Sequence, residues 1–141
     1  MTSLPSFIWG RMTFPSYPNG QYPNGPGASY YLTEHTVTIG RSWETNIRID
    51  DQIETISQNH CTLTYNSKLN VCNIIDTSTH GTWVNHERLV QGKPTQIKHR
   101  DLIVLGCYTR ISPMNNHTEE KYYFIFKKTC NLFLMQRDNG L

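Results

Sequence analysis

The chain has 141 residues, a formal net charge of +2 and 37% hydrophobic residues, enough for one domain around one substantial core. So small a charge supplies no basic stripe for a nucleic-acid backbone. No apolar run spans a bilayer, and the N-terminus lacks the basic start and apolar stretch of a secretory signal, so an intracellular protein touching neither nucleic acid nor membrane is expected.

Along the chain the apolar residues come in short runs separated by Gly, Pro, Asn and Thr, and none keeps helical periodicity over three turns. Runs at 7–14 and 30–32 flank a stretch at 15–28 in which Tyr17-Pro18-Asn19-Gly20 is followed by Tyr22-Pro23-Asn24-Gly25. Proline and glycine block regular structure there, which predicts a long loop between two strands. A proline-rich ligand for another module is the alternative reading. Further runs at 37–39, 47–49, 61–65, 71–75, 102–105 and 122–126 are β-branched or aromatic and bounded by turn residues. Many such strands at close spacing predict an all-β sandwich or barrel.

Residues 61–65 alternate apolar and polar, so one face is expected to be buried. Residues 102–105 are continuously apolar, which fits a central strand covered on both faces. Asn66-Ser67-Lys68 and Gly92-Lys93-Pro94 read as exposed turns. Cys61, Cys72, Cys107 and Cys130 are widely spaced and form no C-x-x-C pair, so neither zinc nor a disulfide framework is expected. Residues 112–119 are too irregular in sequence to read as an element, and specificity beyond the principal contact is expected from loops such as this one. The apolar group Leu132-Phe133-Leu134-Met135 needs covering, and Asp138-Asn139-Gly140-Leu141 reads as an internal cut, so a longer protein is expected.

Three strings carry most of the functional information: Gly40-Arg41, then Ser57-Gln58-Asn59-His60, then Asp76-Thr77-Ser78-Thr79-His80-Gly81-Thr82-Trp83-Val84-Asn85. Each alone is weak. In this order, with 16 residues from Arg41 to Ser57 and 22 from Ser57 to Thr79, they resemble the forkhead-associated (FHA) domain. Asn46-Ile47-Arg48-Ile49-Asp50 and Arg100-Asp101-Leu102-Ile103-Val104-Leu105-Gly106 also fall in family order, so the resemblance covers about residues 7–127. It implies a β-sandwich of two twisted, mainly antiparallel sheets with ligand-binding loops at one end, occupying residues 1–130. Residues 131–141 are then a C-terminal extension or the start of a linker. It also implies a partner: a protein or peptide carrying phosphothreonine. Arg41, Ser57, Gln58, Thr79 and His80 are expected on the phosphopeptide, with Gly40, His60, Gly81 and Asn85 supporting the site. No catalytic residue, metal or cofactor is expected.

Phosphothreonine carries roughly −1.5 to −2 charge and three strong acceptor oxygens. Its site needs donors that stay protonated. Arg41 fits, because a guanidinium is always charged and can give two parallel hydrogen bonds to phosphate. Gly40 is expected to let the backbone turn at the strand end, and Ser57 and Thr79 bring hydroxyl donors from two further loops. His60 is expected to brace its loop rather than act as a base, since a Ser-x-x-His turn supplies no third group to orient it. Gly81 permits a tight turn, and Asn85 can tie loop backbone together.

Two positions depart from the family pattern. Gln58 brings no charge where many members carry a basic residue or Asn. His80 stands where the family usually has Asn, in His80-Gly81-Thr82. An imidazole can donate once and accept once with a different reach, so three outcomes stay open: substitution, a rearranged peptide, or loss of phosphate binding. A buried threonine methyl would favour phosphothreonine over phosphoserine by about 0.8 kcal/mol, near fourfold.

The reading that results is a phosphothreonine-dependent interaction module in signalling, part of a larger protein such as a nuclear DNA-damage or meiotic checkpoint kinase. Self-association through a phosphorylated segment of that protein is a further partner option. The kinase domain itself is not expected in this chain, which is read as lacking the Gly-rich phosphate loop, the H-R-D and the D-F-G. The alternative is a module of the same fold that binds partners without phosphate. A hydrolase or metal enzyme using Ser57, His60, His80 and Cys61 is the third class, and no H-x-x-x-H or C-x-x-C supports it.

Overall fold

The computed structural model describes residues 7–14, 29–49, 55–106 and 122–129. The expected loops at 15–28 and 112–119, Cys107, Cys130 and the C-terminal extension lie outside the described residues. Eleven strands follow in chain order: β1 (Gly10–Thr13), β2 (Ser29–Leu32), β3 (Thr36–Gly40), β4 (Ile47–Arg48), β5 (Cys61–Asn66), β6 (Val71–Asp76), β7 (Thr82–Val84), β8 (Glu87–Arg88), β9 (Thr95–Ile97), β10 (Asp101–Leu105) and β11 (Tyr122–Lys128). Among the described residues there is no helix.

The strands form two sheets, one in the order β2-β1-β11-β10-β7-β8 and the other in the order β4-β3-β5-β6-β9. All pairings are antiparallel except β3 with β4. The period-2 pattern explains the layering. In β5, Cys61, Leu63 and Tyr65 point inward while Thr62 and Thr64 are half-buried. In β11, Tyr122, Phe124 and Phe126 point inward between half-buried Tyr123, Ile125 and Lys127. These inner faces meet with Trp9, Met12, Leu32, Val37, Ile39, Ile74, Ile103 and Leu105 in one core. Trp9 stacks on Tyr65 at a centroid distance of 5.4 Å and donates its indole N–H to the Glu34 carbonyl at 2.8 Å, which satisfies its one polar atom.

β10 is central, between β11 and β7, and its Ile103, Val104 and Leu105 are buried on both faces, whereas Leu102 is only half-buried. Strands β7, β8 and β9 fall where no strand was expected. They hold two or three residues, too few to show a period, and β8 is wholly exposed at a sheet edge. The β7–β8 connection is a two-residue turn, Asn85-His86, with φ of 49° and 74°. Positive φ at both central positions is what a type I′ hairpin requires.

Register determines where the loops emerge. Ile39 pairs with Cys61 and Cys61 with Asp76, so β3 ends, β5 begins and β6 ends flush with one another. In the facing sheet Leu105 pairs with Thr82 at the start of β7. Residues 41–46, 55–60 and 77–81 and Gly106 therefore lie together at one end of the sandwich.

Candidate functional site

The loops at this end are tied to one another before any ligand arrives. The Arg41 backbone N–H donates to the Ser57 carbonyl at 2.9 Å, and the Ser42 N–H to the Gln58 carbonyl at 3.1 Å. The Arg41 side chain adds a third tie, its Nε donating to the Ile56 carbonyl at 2.7 Å. Among the described residues its guanidinium makes no other hydrogen bond, so the plane is fixed by Nε while the two terminal nitrogens keep their protons for a partner. Ser57 links the second loop to the third: its Oγ accepts the Thr79 N–H at 2.9 Å. A hydroxyl that accepts in this way still has its own proton to donate outward.

Gly40 holds this arrangement for a reason other than the expected turn. Its φ is not in the left-handed region. A Cβ there would sit 2.1 Å from the Gln58 carbonyl oxygen, so only glycine lets the two backbones approach. Gly81 is different, with φ +107° in a region that disfavours side chains.

Beneath the loops lies a buried polar hub. His60 is fully buried; its Nδ1 accepts the Ser57 backbone N–H at 3.1 Å, which places its proton on Nε2, and Nε2 donates to the Gly81 carbonyl at 2.9 Å. The ring thus spans the second and third loops, and it faces the backbone of Ser57 rather than its hydroxyl. Asp76, also buried, presents one carboxylate oxygen to the Ser78 N–H (3.1 Å), the Ser78 Oγ (2.6 Å) and the Thr82 Oγ1 (2.8 Å). Ser78 Oγ in turn accepts the Gly81 N–H at 2.8 Å. A buried carboxylate is tolerable only with such donors. Cys61, paired with Asp76 across the sheet, has its thiol pushed far above the ordinary range by burial and, secondarily, by that carboxylate. It is an inert core side chain.

Of the residues expected on the phosphopeptide, Arg41 and Ser57 are half-buried at the loop bases, while Gln58, Thr79 and His80 are exposed. Gln58 and His80 make no side-chain hydrogen bond among the described residues. All five lie on the three tied loops. Asn85 does not: it sits at the far end of β7, where its amide donates to the Asp101 carboxylate at 2.8 Å and accepts the Leu102 N–H at 2.9 Å. It braces the sheet rather than the loops. The sequence reading gave no role to Asp76, Ser78 or Thr82, although Asp-x-Ser is a local turn signal. It also counted no H-R-D, the catalytic-loop tripeptide of protein kinases, although His99-Arg100-Asp101 is one. In this fold the tripeptide is a turn into β10, with Arg100 at φ 74°, His99 Nδ1 accepting the Lys128 N–H and Asp101 accepting the Lys98 N–H. Among the described residues no three His, Cys, Asp or Glu side chains are grouped to hold a metal ion.

One end of the two-sheet sandwich thus presents pre-tied loops around a fixed arginine, with His60 turned to the Ser57 backbone. The family is specific: residues 37–106 match the FHA domain family, and the chain carries a forkhead-associated domain, a binding module with no catalytic chemistry of its own. Over 84 residues the chain is 33% identical to the "Probable serine/threonine-protein kinase fhkA" of Dictyostelium discoideum. That match takes in 55% of this chain, and the chain spans only 14% of the length of that relative. Among solved structures, the FHA1 domain of yeast Rad53 is similar at a TM-score of 0.68 and 16% identity, covering 99% of this chain and 89% of that one. The N-terminal FHA domain of S. cerevisiae Rad53p in complex with a phosphothreonine peptide gives a TM-score of 0.65 at 14% identity, covering 91% and 99%. The Mek1 FHA domain bound to a Hop1 phosphothreonine peptide gives 0.60 at 18%, covering 86% and 97%.

Proposed function

We propose that the loop end of the sandwich binds phosphothreonine in a partner protein. The observation that carries this reading is the Arg41 guanidinium, anchored at Nε by the Ile56 carbonyl at 2.7 Å with its terminal N–H groups uncommitted among the described residues. Two parallel charge-assisted hydrogen bonds from it would neutralise much of the phosphate. The Ser57 hydroxyl proton and the exposed Thr79 hydroxyl supply further donors on adjoining loops, already linked at 2.9 Å. Because these loops are ordered by their mutual hydrogen bonds, little is lost in arranging them on binding. Gln58 and His80 extend the exposed rim and are assigned to the flanking peptide. The neighbouring FHA domains solved with phosphothreonine peptides support the same ligand.

The module serves a larger signalling protein. The Dictyostelium relative supports a serine/threonine kinase, and a nuclear checkpoint role is the setting we assign, tested by imaging a fluorescent fusion before and after DNA damage. The ligand is tested by calorimetric titration with a phosphothreonine peptide library beside phosphoserine and unphosphorylated sets. Micromolar binding to phosphothreonine only, weakened about a hundredfold or more in Arg41→Ala, is expected. Equal binding of unphosphorylated peptides, unaffected by Arg41→Ala, would favour the phosphate-independent module instead.

A further inference from the structure

Outside the phosphate-facing residues, one cation is held in place beside the same loops. Arg88, on the edge strand β8, pairs in register with Trp83 and carries its guanidinium 5.3 Å from the centre of the indole ring. The stack has a firm base. Trp83 pairs with Val104 and Val104 with Tyr123, so Arg88, Trp83, Val104 and Tyr123 form one row across the outer face of the six-stranded sheet, and Val104 is fully buried. The guanidinium also rests against the third loop: a Cβ on Gly81 would lie 2.9 Å from Arg88 Nε and 3.1 Å from its Cζ. Thr79 is two residues from that glycine, at most about 7 Å of chain.

Arg88 is nonetheless exposed and makes no hydrogen bond or ion pair among the described residues. Its exposed N–H groups are left to water, which an anionic group of a ligand can displace. One kept stacked and uncommitted at the rim of an anion site has already lost the side-chain freedom that makes most surface ion pairs worthless. Arg48, stacked 3.7 Å from the Trp43 ring centre, looks similar, but its Nε is committed to the Arg41 carbonyl at 2.9 Å and it has further partners.

We propose that Arg88 is a specificity-determining residue that takes an anionic side chain, a carboxylate or a second phosphate, from the partner segment flanking the phosphothreonine. This rests on the phosphothreonine reading above. It deepens that reading by naming the partner's chemistry: a phosphothreonine with a second negative charge nearby.

The test uses phosphothreonine peptides in an Ala/Gly background, with one Asp walked from three residues before to five after the phosphothreonine. A second set carries phosphoserine at the preferred position. Each peptide is titrated by fluorescence anisotropy into wild type, Arg88→Gln and Arg41→Ala, with urea unfolding as the folding control. Wild type is expected to favour one Asp position about fivefold over the uncharged parent, and phosphoserine there more strongly if the source is a second phosphate. Arg88→Gln keeps a planar polar group over Trp83; it is expected to erase that preference while leaving the parent peptide's affinity unchanged. A preference that survives in Arg88→Gln, no preference in wild type, or an equal loss for parent and Asp peptides would overturn the proposal, the last by reducing Arg88 to loop support. Failure of wild type to bind any phosphothreonine peptide would overturn the underlying reading and this one with it. Binding that is lost in Arg41→Ala but never charge-sensitive would overturn only this one.

Discussion

Gly40→Ala isolates the idea that the site depends on backbone-to-backbone approach. The added methyl would lie 2.1 Å from the Gln58 oxygen, 2.8 Å from its carbon and 3.0 Å from the His60 nitrogen, all main-chain atoms that no rotamer change can move. Ordinary contact begins at 3.4 Å, so the two loops must part by about 1.3 Å. That separation breaks the Arg41 N–H to Ser57 bond at 2.9 Å, the Ser42 N–H to Gln58 bond at 3.1 Å and the His60 N–H to Ile39 bond at 2.8 Å. At about 1 kcal/mol each the loss is roughly 3 kcal/mol, of which alanine's lower chain entropy returns less than about 1. Urea denaturation is expected to show a deficit of about 2–3 kcal/mol and thermal melting a fall of roughly 10 °C. Phosphopeptide affinity falls at least about tenfold, because Arg41 and Ser57 move with their loops. Gly92→Ala is the control: nothing lies within 4 Å of its Cβ, so only its φ of +80° resists, at about 1 kcal/mol. A Gly40→Ala protein within about 0.5 kcal/mol of wild type and binding normally would refute the reasoning.

Further outcomes follow from the buried hub. His60→Ala strands the Ser57 N–H, leaves the Gly81 carbonyl with the Gly106 N–H alone and opens a cavity under the loops, and is expected to lower stability by about 2–4 kcal/mol in urea unfolding. Asp76→Ala leaves the Ser78 and Thr82 hydroxyls without their acceptor and is expected to cost as much, with weaker phosphopeptide binding through the displaced third loop. Ser57→Ala removes the Thr79 N–H acceptor and one outward proton; calorimetry is expected to show about a tenfold loss of affinity with stability changed by about 1 kcal/mol. The raised pKa of Cys61 predicts that its thiol resists alkylation at pH 8 until the protein unfolds. Because the folded value is the higher one, its contribution to stability is present below roughly pH 8.5 and declines as pH rises above that, which alkaline urea titrations can follow.

What the sequence made legible was whatever repeats or alternates. The apolar beat of 61–65 predicted the inward face of β5, and the long apolar stretch 102–105 predicted a central strand. The short edge strands β8 and β9 escaped because pairing with a neighbour, not composition, makes them strands. At the site, residue types pointed to Arg41, Ser57 and Thr79, yet the ties between them run through backbone atoms that no residue type encodes. The same blindness hid the reason for Gly40, which is distance rather than dihedral. Asp76 occupies the inward position after Cys72 and Ile74 in β6, where the alternation calls for an apolar side chain. Only the fold brings Ser78 and Thr82 around it. Asn85 was read as a support of the site that ties loop backbone, but three residues of β7 separate it from those loops and its side chain ties β10 instead.

The most direct test of the central claim is a ¹H–¹⁵N chemical-shift titration with a phosphothreonine peptide. Saturable shifts concentrated at the amides of Arg41, Ser57, Gln58, Thr79 and His80, with Asn85, Arg100 and the 66–70 turn still, are the predicted result. Shifts confined to the opposite end of the sandwich, or none beyond those of the unphosphorylated peptide, would contradict it.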